Sequence, residues 1–85
     1  MASYSLRVKK SAEKELRSVP TTDLPRIVRR IHALATEPRP HGSEKLSGED
    51  NYRVRQGDWR IVYSIDDTAQ MIEIVKIGHR RDVYR

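Results

Sequence analysis

The sequence predicts a single α+β domain in which a helical hairpin packs on one face of a mostly antiparallel four-stranded sheet, in the order β-α-α-β-β-β. Apolar residues recur with helical spacing in two segments of the first half of the chain. They alternate with polar residues before those segments and again throughout the second half, as they do in strands. At 85 residues, the chain forms one small domain spanning residues 1–85.

Net charge and cysteine content restrict the partners and the compartment. The formal net charge of +5 favours acidic partners, which are nucleic acids, anionic membrane surfaces or acidic proteins. The absence of cysteine excludes disulfides and thiolate metal sites and is typical of a reducing cytoplasm. No apolar segment opens the chain and no apolar run is long enough to cross a bilayer. We therefore expect a soluble cytoplasmic protein with no membrane association.

The first 20 residues predict a strand and a short helix. Tyr4, Leu6 and Val8 alternate with polar residues, which indicates a half-buried strand. Ser11 is a candidate N-cap for the helix that follows, and Pro20 ends it. This helix has only about two turns, so its stability must come from packing.

The second helix has the clearest periodicity in the chain. Thr22 or Asp23 caps it, Pro25 is tolerated in its first turn, and Pro38 lies beyond its end. Its predicted buried stripe consists of Leu24, Ile27, Val28, Ile31, Leu34 and Ala35. Arginines between these positions lie on or near the outer side, where a solvated helix surface explains them better than a nucleic-acid face.

Residues 37–51 form a predicted loop with Leu46 as its apolar anchor. A loop of this length in so small a domain is more often a binding loop than a plain connection. Lys45 is its candidate ligand contact, and the alternative is an ordinary exposed lysine.

Residues 51–63 predict a hairpin that organises the second half of the chain. Gly57-Asp58 suits a two-residue turn with positive φ angles. The turn defines the cross-strand pairs Gln56–Trp59, Arg55–Arg60, Val54–Ile61, Arg53–Val62 and Tyr52–Tyr63. Paired residues point to the same side of a sheet, so this register produces one apolar face and one arginine face.

The arginine face contains Arg53, Arg55 and Arg60. Arg55 and Arg60 face each other, which destabilises a hairpin by roughly a few tenths of a kcal/mol. A solvated outer face explains any one of these residues. Three together favour an anion site, because the planar guanidinium group matches phosphate better than other side chains do.

The last strand is predicted from Gln70 to Ile77, with Asp67-Thr68 as the preceding two-residue turn. This turn would pair Ile72 with Tyr63, Ile74 with Ile61, Val75 with Arg60, and Glu73 with Val62. Glu73 would then lie beside the arginine face, where it either neutralises an arginine or takes part in proton transfer.

Beyond Gly78, the tail supplies cations, a histidine and a tyrosine. Cations combined with an exposed aromatic ring are typical of single-stranded RNA recognition. His79 is a candidate acid or base because its unperturbed pKa lies near neutrality, and the alternative is a structural histidine. We predict no metal site, because the three histidines are scattered and no clustered carboxylates accompany them.

Two blocks, KLSGEDNYRVRQGDWRIVYSIDD and IVKIGHRRDVYR, resemble the RelE group of the RelE/ParE toxin superfamily of bacterial toxin–antitoxin pairs. The resemblance covers nearly the whole chain and implies the RelE-like fold. It also implies a ribosome-dependent endoribonuclease that cuts mRNA in the 30S A site and needs no cofactor. The implied protein partner is a cognate antitoxin, which would neutralise the toxin in a hetero-oligomer.

The resemblance assigns catalysis to Arg53, Arg55, Arg60, Arg80 and Tyr84. We expect metal-independent cleavage by attack of the RNA 2′-OH on the adjacent phosphate, with Arg60 and Arg80 on the phosphate. Arg53 and Arg55 replace the lysines of the best-known members, which keeps the charge but makes a poorer proton acceptor. The RNA-binding residues are expected to be Lys45, Arg53, Arg55, Arg81 and Tyr84.

Two other readings stay open. A ParE-like protein of the same fold would inhibit DNA gyrase by binding and would have no use for the arginine set with Tyr84. A catalytically decayed homologue would serve only as an antitoxin-binding partner.

Overall fold

The computed structural model describes residues 3–46 and 50–80, which form two helices and five strands. In chain order these are β1 (Ser5–Val8), α1 (Lys10–Arg17), α2 (Leu24–Thr36), β2 (Glu44–Lys45), β3 (Asn51–Gln56), β4 (Trp59–Asp66) and β5 (Met71–His79). The predicted α+β class and the order of the major elements are confirmed.

The sheet has the strand order β1-β5-β4-β3-β2, in which β1 runs parallel to β5 and the other neighbours are antiparallel. Four strands were expected, and β2 is the additional strand. It consists of two residues within the predicted loop 37–51, and it pairs Glu44 with Arg53 and Lys45 with Tyr52. Two consecutive polar residues carry no alternation, so nothing in the sequence identifies this strand.

The helices cover one face of the sheet and enclose the core with it. The buried residues of this core are Ala12, Val19, Ile27, Ile31, Leu34, Val54, Ile61, Tyr63, Ile72, Ile74 and Ile77. The hydroxyl of Tyr63 donates a 2.7 Å hydrogen bond to the carbonyl of Pro38, which attaches the segment after α2 to the sheet. Burial raises the pKa of this phenol to about 12.

The start of α1 differs from the sequence prediction, whereas the start of α2 agrees with it. The N-cap of α1 is Lys9, two residues before Ser11, because the Lys9 N–H still donates to Ile74 in β5 and the helix begins directly after β1. The N-cap of α2 is Asp23, one of the two predicted residues. Its carboxylate makes no capping bond and accepts instead from the indole of Trp59 at 3.1 Å.

The buried stripe of α2 is narrower than predicted. Ile27, Ile31 and Leu34 are buried, whereas Val28 is 38% exposed. Val28 is one position from Ile27, about 100° around the helix, so it projects past the edge of the covered stripe.

The predicted β3–β4 register is confirmed at every pair from Gln56–Trp59 to Tyr52–Tyr63. The predicted β4–β5 register is wrong. The turn spans residues 67–70, and a bulge displaces the pairing between Val62 and Tyr63. The observed pairs are Ile65–Ile72, Ser64–Glu73, Tyr63–Ile74, Val62–Lys76, Ile61–Ile77 and Arg60–Gly78. Glu73 therefore lies opposite Ser64 and away from the arginine face.

Candidate functional site

The hairpin places three arginines on the face of the sheet that the helices leave open. Val54 and Ile61 are buried in the core, so strand alternation turns Arg53, Arg55 and Arg60 to the other side. Arg55 lies directly opposite Arg60 across the β3–β4 ladder. We call the surface formed by these three side chains the arginine face.

Arg60 is the buried member of the arginine face, with 7% of its surface exposed. Its Nη1 donates to the carbonyls of Gly57 at 3.2 Å and Trp59 at 3.1 Å. Its Nε is buried without a hydrogen-bond partner among the described residues, and no carboxylate there forms an ion pair with it. The groups that bind this guanidinium are neutral carbonyls, so they do not offset its positive charge, and its low hydration strengthens the attraction for an incoming anion.

Arg53 and Arg55 share one carboxylate. Glu44 of β2 lies 3.1 Å from Arg53 and 3.9 Å from Arg55, measured between carboxylate oxygen and guanidinium nitrogen. The Arg53 side chain is 11% exposed and the Arg55 side chain 60% exposed. Glu44 was not predicted as a site residue, because its contact depends on a two-residue strand with no sequence signal.

Arg80 reaches the same end of the sheet from the end of β5. Its N–H donates to the carbonyl of Asp58 at 2.7 Å, and its Nε lies 3.8 Å from the Asp58 carboxylate. Arg60 binds the neighbouring carbonyl of Gly57, so the hairpin turn holds both arginines. Gly57 adopts φ +61°, which favours glycine at this position of the turn. Asp58 was predicted only as a turn residue, and its contact with Arg80 was not predicted, because it joins the hairpin turn to the end of β5.

His79 lies on the other side of the sheet. It pairs with Trp59 across β4 and β5, and the two rings meet edge to face with centroids 5.5 Å apart. Trp59 packs against the core and donates to Asp23 of α2, which identifies its side as the one covered by the helices. The imidazole is thus separated from Arg60 by the sheet, an arrangement that favours the structural alternative for His79.

The remaining predicted RNA contacts are less well placed or lie outside the described residues. Lys45 is exposed and pairs with Tyr52, whose ring packs against the core, so its position in β2 is on the side opposite to Glu44. Arg81 and Tyr84 lie outside the described residues.

A second basic surface lies between α2 and the end of β3. Arg26, Arg29, Arg30, Ala33 and Gln56 line a cleft of about 380 Å³ there. Gln56 pairs with Trp59, so this cleft is on the helix-covered side and is separate from the arginine face.

Residues 3–46 and 50–80 contain neither a cluster of metal ligands nor a membrane-spanning helix. No three histidine, aspartate or glutamate side chains in these segments are grouped so that they could hold a metal ion. Neither of the helices described is long and apolar enough to span a bilayer.

Sequence comparison identifies relatives of this chain. Residues 6–84 match the profile of the ParE toxin of the type II toxin–antitoxin system parDE. The chain is 30% identical to Toxin RelG of Mycobacterium tuberculosis, across 96% of this chain and 97% of that protein.

The solved structures that this chain resembles are also toxins of toxin–antitoxin pairs. The RelBE2 toxin–antitoxin complex of Mycobacterium tuberculosis contains a chain that matches with a TM-score of 0.83 and 28% identity, covering 96% of this chain and 97% of that one. The archaeal RelE–RelB complex of Pyrococcus horikoshii matches with a TM-score of 0.83 and 31% identity, covering 94% and 98%. The chain therefore belongs to the ParE toxin family of type II toxin–antitoxin systems, within the RelE/ParE superfamily.

Proposed function

We propose that this toxin is a ribosome-dependent endoribonuclease that cleaves mRNA in the ribosomal A site and so inhibits translation. The observation that carries the proposal is the state of Arg60, a buried cation with no carboxylate partner among the described residues. Arg55 lies opposite it, and Arg80 is attached to the same hairpin turn. Concentrated positive charge of this kind stabilises a phosphate that gains negative charge during reaction.

The reaction would be an internal transesterification of the RNA. The 2′-oxygen forms a bond to phosphorus, the bond from phosphorus to the 5′-oxygen breaks, and the 2′-proton is lost while the leaving oxygen gains one. The products are a 2′,3′-cyclic phosphate and a 5′-OH. Arg60 and Arg80 would bind the non-bridging oxygens of the pentacoordinate phosphorus, and Arg53 and Arg55 the phosphate and RNA backbone.

The tail residues complete the proposed site. Tyr84 would stack on a base or orient the 2′-OH, and Arg81 would contact the RNA backbone. The arginines supply the positive charge that a metal ion would otherwise provide, so we propose that cleavage needs no metal ion. We also propose that the toxin acts in the cytoplasm, where translation takes place.

We also propose that a cognate antitoxin binds this chain and blocks the arginine face. The RelBE2 and archaeal RelE–RelB structures are complexes of toxin with antitoxin. An acidic or amphipathic antitoxin segment would complement the net charge of +5.

Mapping of mRNA ends tests the nuclease proposal. Untreated toxin and EDTA-treated toxin are added in separate reactions to ribosomes that hold a defined codon in the A site. The 5′ ends of the mRNA are then sequenced. We expect cuts within the A-site codon and a 2′,3′-cyclic phosphate on the upstream fragment. Intact mRNA under these conditions would contradict the nuclease assignment.

Gyrase inhibition is the second candidate, because the matching family profile is that of the ParE toxin. Such a toxin would induce the DNA-damage response and leave mRNA intact. Expression in a bacterial host therefore separates the two, through translation arrest in the first case and DNA damage in the second. A decayed homologue would cause neither effect but would still bind the antitoxin.

A further inference from the structure

The carboxylate of Glu44 lies between two guanidinium groups of the arginine face. Its Oε2 is 3.1 Å from Nη2 of Arg53, and its Oε1 is 3.9 Å from Nη2 of Arg55. The β2–β3 pairing places Glu44 directly opposite Arg53, on the open side of the sheet. One anion thus uses both oxygens to bridge two cations, as a phosphate group does between two arginines.

We propose that Glu44 is an internal counter-ion that occupies the RNA-phosphate subsite of Arg53 and Arg55 and is displaced when substrate binds. The inference rests on the proposed function, in which the arginine face binds RNA. It assigns to Glu44 a role in tuning affinity, because the carboxylate neutralises two of the cations that would otherwise attract RNA.

The geometry permits displacement. The Arg53 side chain is 11% exposed, but the Glu44 side chain is 53% exposed, so water and salt reach the carboxylate and weaken its hold on both arginines. Its distance from Arg55 is 3.9 Å, too long for a hydrogen bond, so that guanidinium keeps its donors available. A phosphodiester held in place by other contacts competes with this carboxylate at high effective concentration.

Arg60 differs from this pair, since no carboxylate forms an ion pair with it among the described residues. Arg60 is therefore ready for a phosphate in the free protein, whereas a phosphate at Arg53 must first replace the Glu44 carboxylate, which also lies beside Arg55. The two subsites should respond differently to loss of the Glu44 charge.

The test compares Glu44→Gln with Glu73→Gln, which removes the same charge from the open side of the sheet opposite Ser64 and beside Arg7, away from the arginine face. Each purified protein is titrated with a fluorescently labelled 2′-O-methyl oligoribonucleotide, which cannot be cleaved through its 2′ position, at several salt concentrations. We expect Glu44→Gln to bind several-fold more tightly than the wild type, and Glu73→Gln to stay within about twofold. The salt dependence should steepen only in Glu44→Gln, by about 0.7 in the log–log slope for each newly engaged phosphate.

Equal affinities of Glu44→Gln and Glu73→Gln would overturn the inference, because the effect would then reflect net charge alone. Weaker binding by Glu44→Gln would also overturn it, since the carboxylate would then orient the arginines for binding. Cleavage on programmed ribosomes is measured with the same proteins. Lost cleavage at unchanged affinity would assign Glu44 to proton transfer instead. Tighter binding by Glu44→Gln without cleavage by any protein would support the counter-ion and reject the nuclease function.

Discussion

Arg55 and Arg60 face each other across the β3–β4 hairpin on the side of the sheet that the helices leave open. Two cations in this position repel each other, so the pairing reduces hairpin stability. Their environments differ, because Arg60 is buried against backbone carbonyls and Arg55 is exposed beside Glu44. A difference of this kind suits a site in which one cation is held rigidly and the other adjusts to its ligand.

The first prediction concerns Arg60→Ala. Removing one positioned donor to a developing anion typically costs about a hundred- to a thousandfold in rate, so we expect a loss of this size in mRNA cleavage on programmed ribosomes. Ribosome binding should change much less, because the other arginines remain. Arg7→Ala is the matched control, since Arg7 is exposed on β1 beside Glu73. Comparable cleavage by Arg60→Ala and Arg7→Ala would remove Arg60 from the reaction.

The second prediction concerns Tyr63→Phe. The variant loses the hydrogen bond to Pro38. Its free energy of unfolding at pH 7, measured with urea, should be about 1 kcal/mol lower than that of the wild type. In the wild type, burial raises the pKa of this phenol to about 12, above its ordinary value of 10.0. The native state therefore holds the proton more tightly, and its contribution to stability is complete below pH 10.0 and falls as the pH rises toward 12. Tyr63→Phe should show a smaller loss of stability over this interval, and an unchanged profile would contradict the raised pKa.

The third prediction concerns Asp67→Asn. Hydrogen bonds from Arg39 and Tyr4 hold the pKa of the Asp67 carboxyl below its ordinary value of 3.8. A lowered pKa in the folded state contributes stability above pH 3.8, and this contribution is lost as the pH falls through the lower folded value. Asp67→Asn should therefore lose less stability than the wild type on acidification below about pH 4. Acid denaturation followed by circular dichroism measures this, with Glu37→Gln as a control for the general loss of a carboxylate.

The fourth prediction concerns Asp23 and Trp59, whose hydrogen bond attaches the start of α2 to the end of the hairpin. Asp23→Ala and Trp59→Phe each remove this bond. The double variant has no further bond to lose, so its destabilisation should be smaller than the sum of the two single effects. The coupling energy from urea denaturation of the four proteins should be about 1 kcal/mol. A coupling energy near zero would show that the indole and the carboxylate act independently.

The hairpin shows how far local sequence determines structure here. A two-residue turn at Gly57-Asp58 sets the whole β3–β4 register, and with it the face on which Arg53, Arg55 and Arg60 lie. The next turn spans residues 67–70 instead of the predicted Asp67-Thr68, so Glu73 pairs with Ser64 and not with Val62, and a bulge in β5 shifts the pairs beyond Ile74 further. A bulge inserts one extra residue into one strand of a pair, and the alternation of apolar residues in the sequence did not reveal this one.

The sequence by itself determined the fold class, the two helices, the hairpin register and the family, because these depend on short-range periodicity, turn chemistry and contiguous motifs. Tertiary structure alone decided that Glu44 bridges Arg53 and Arg55, that Asp58 meets Arg80, and that Arg60 has no carboxylate partner among the described residues. It also placed His79 against Trp59. These contacts join residues from different strands and turns, and their distances depend on how the chain packs, which no local pattern encodes.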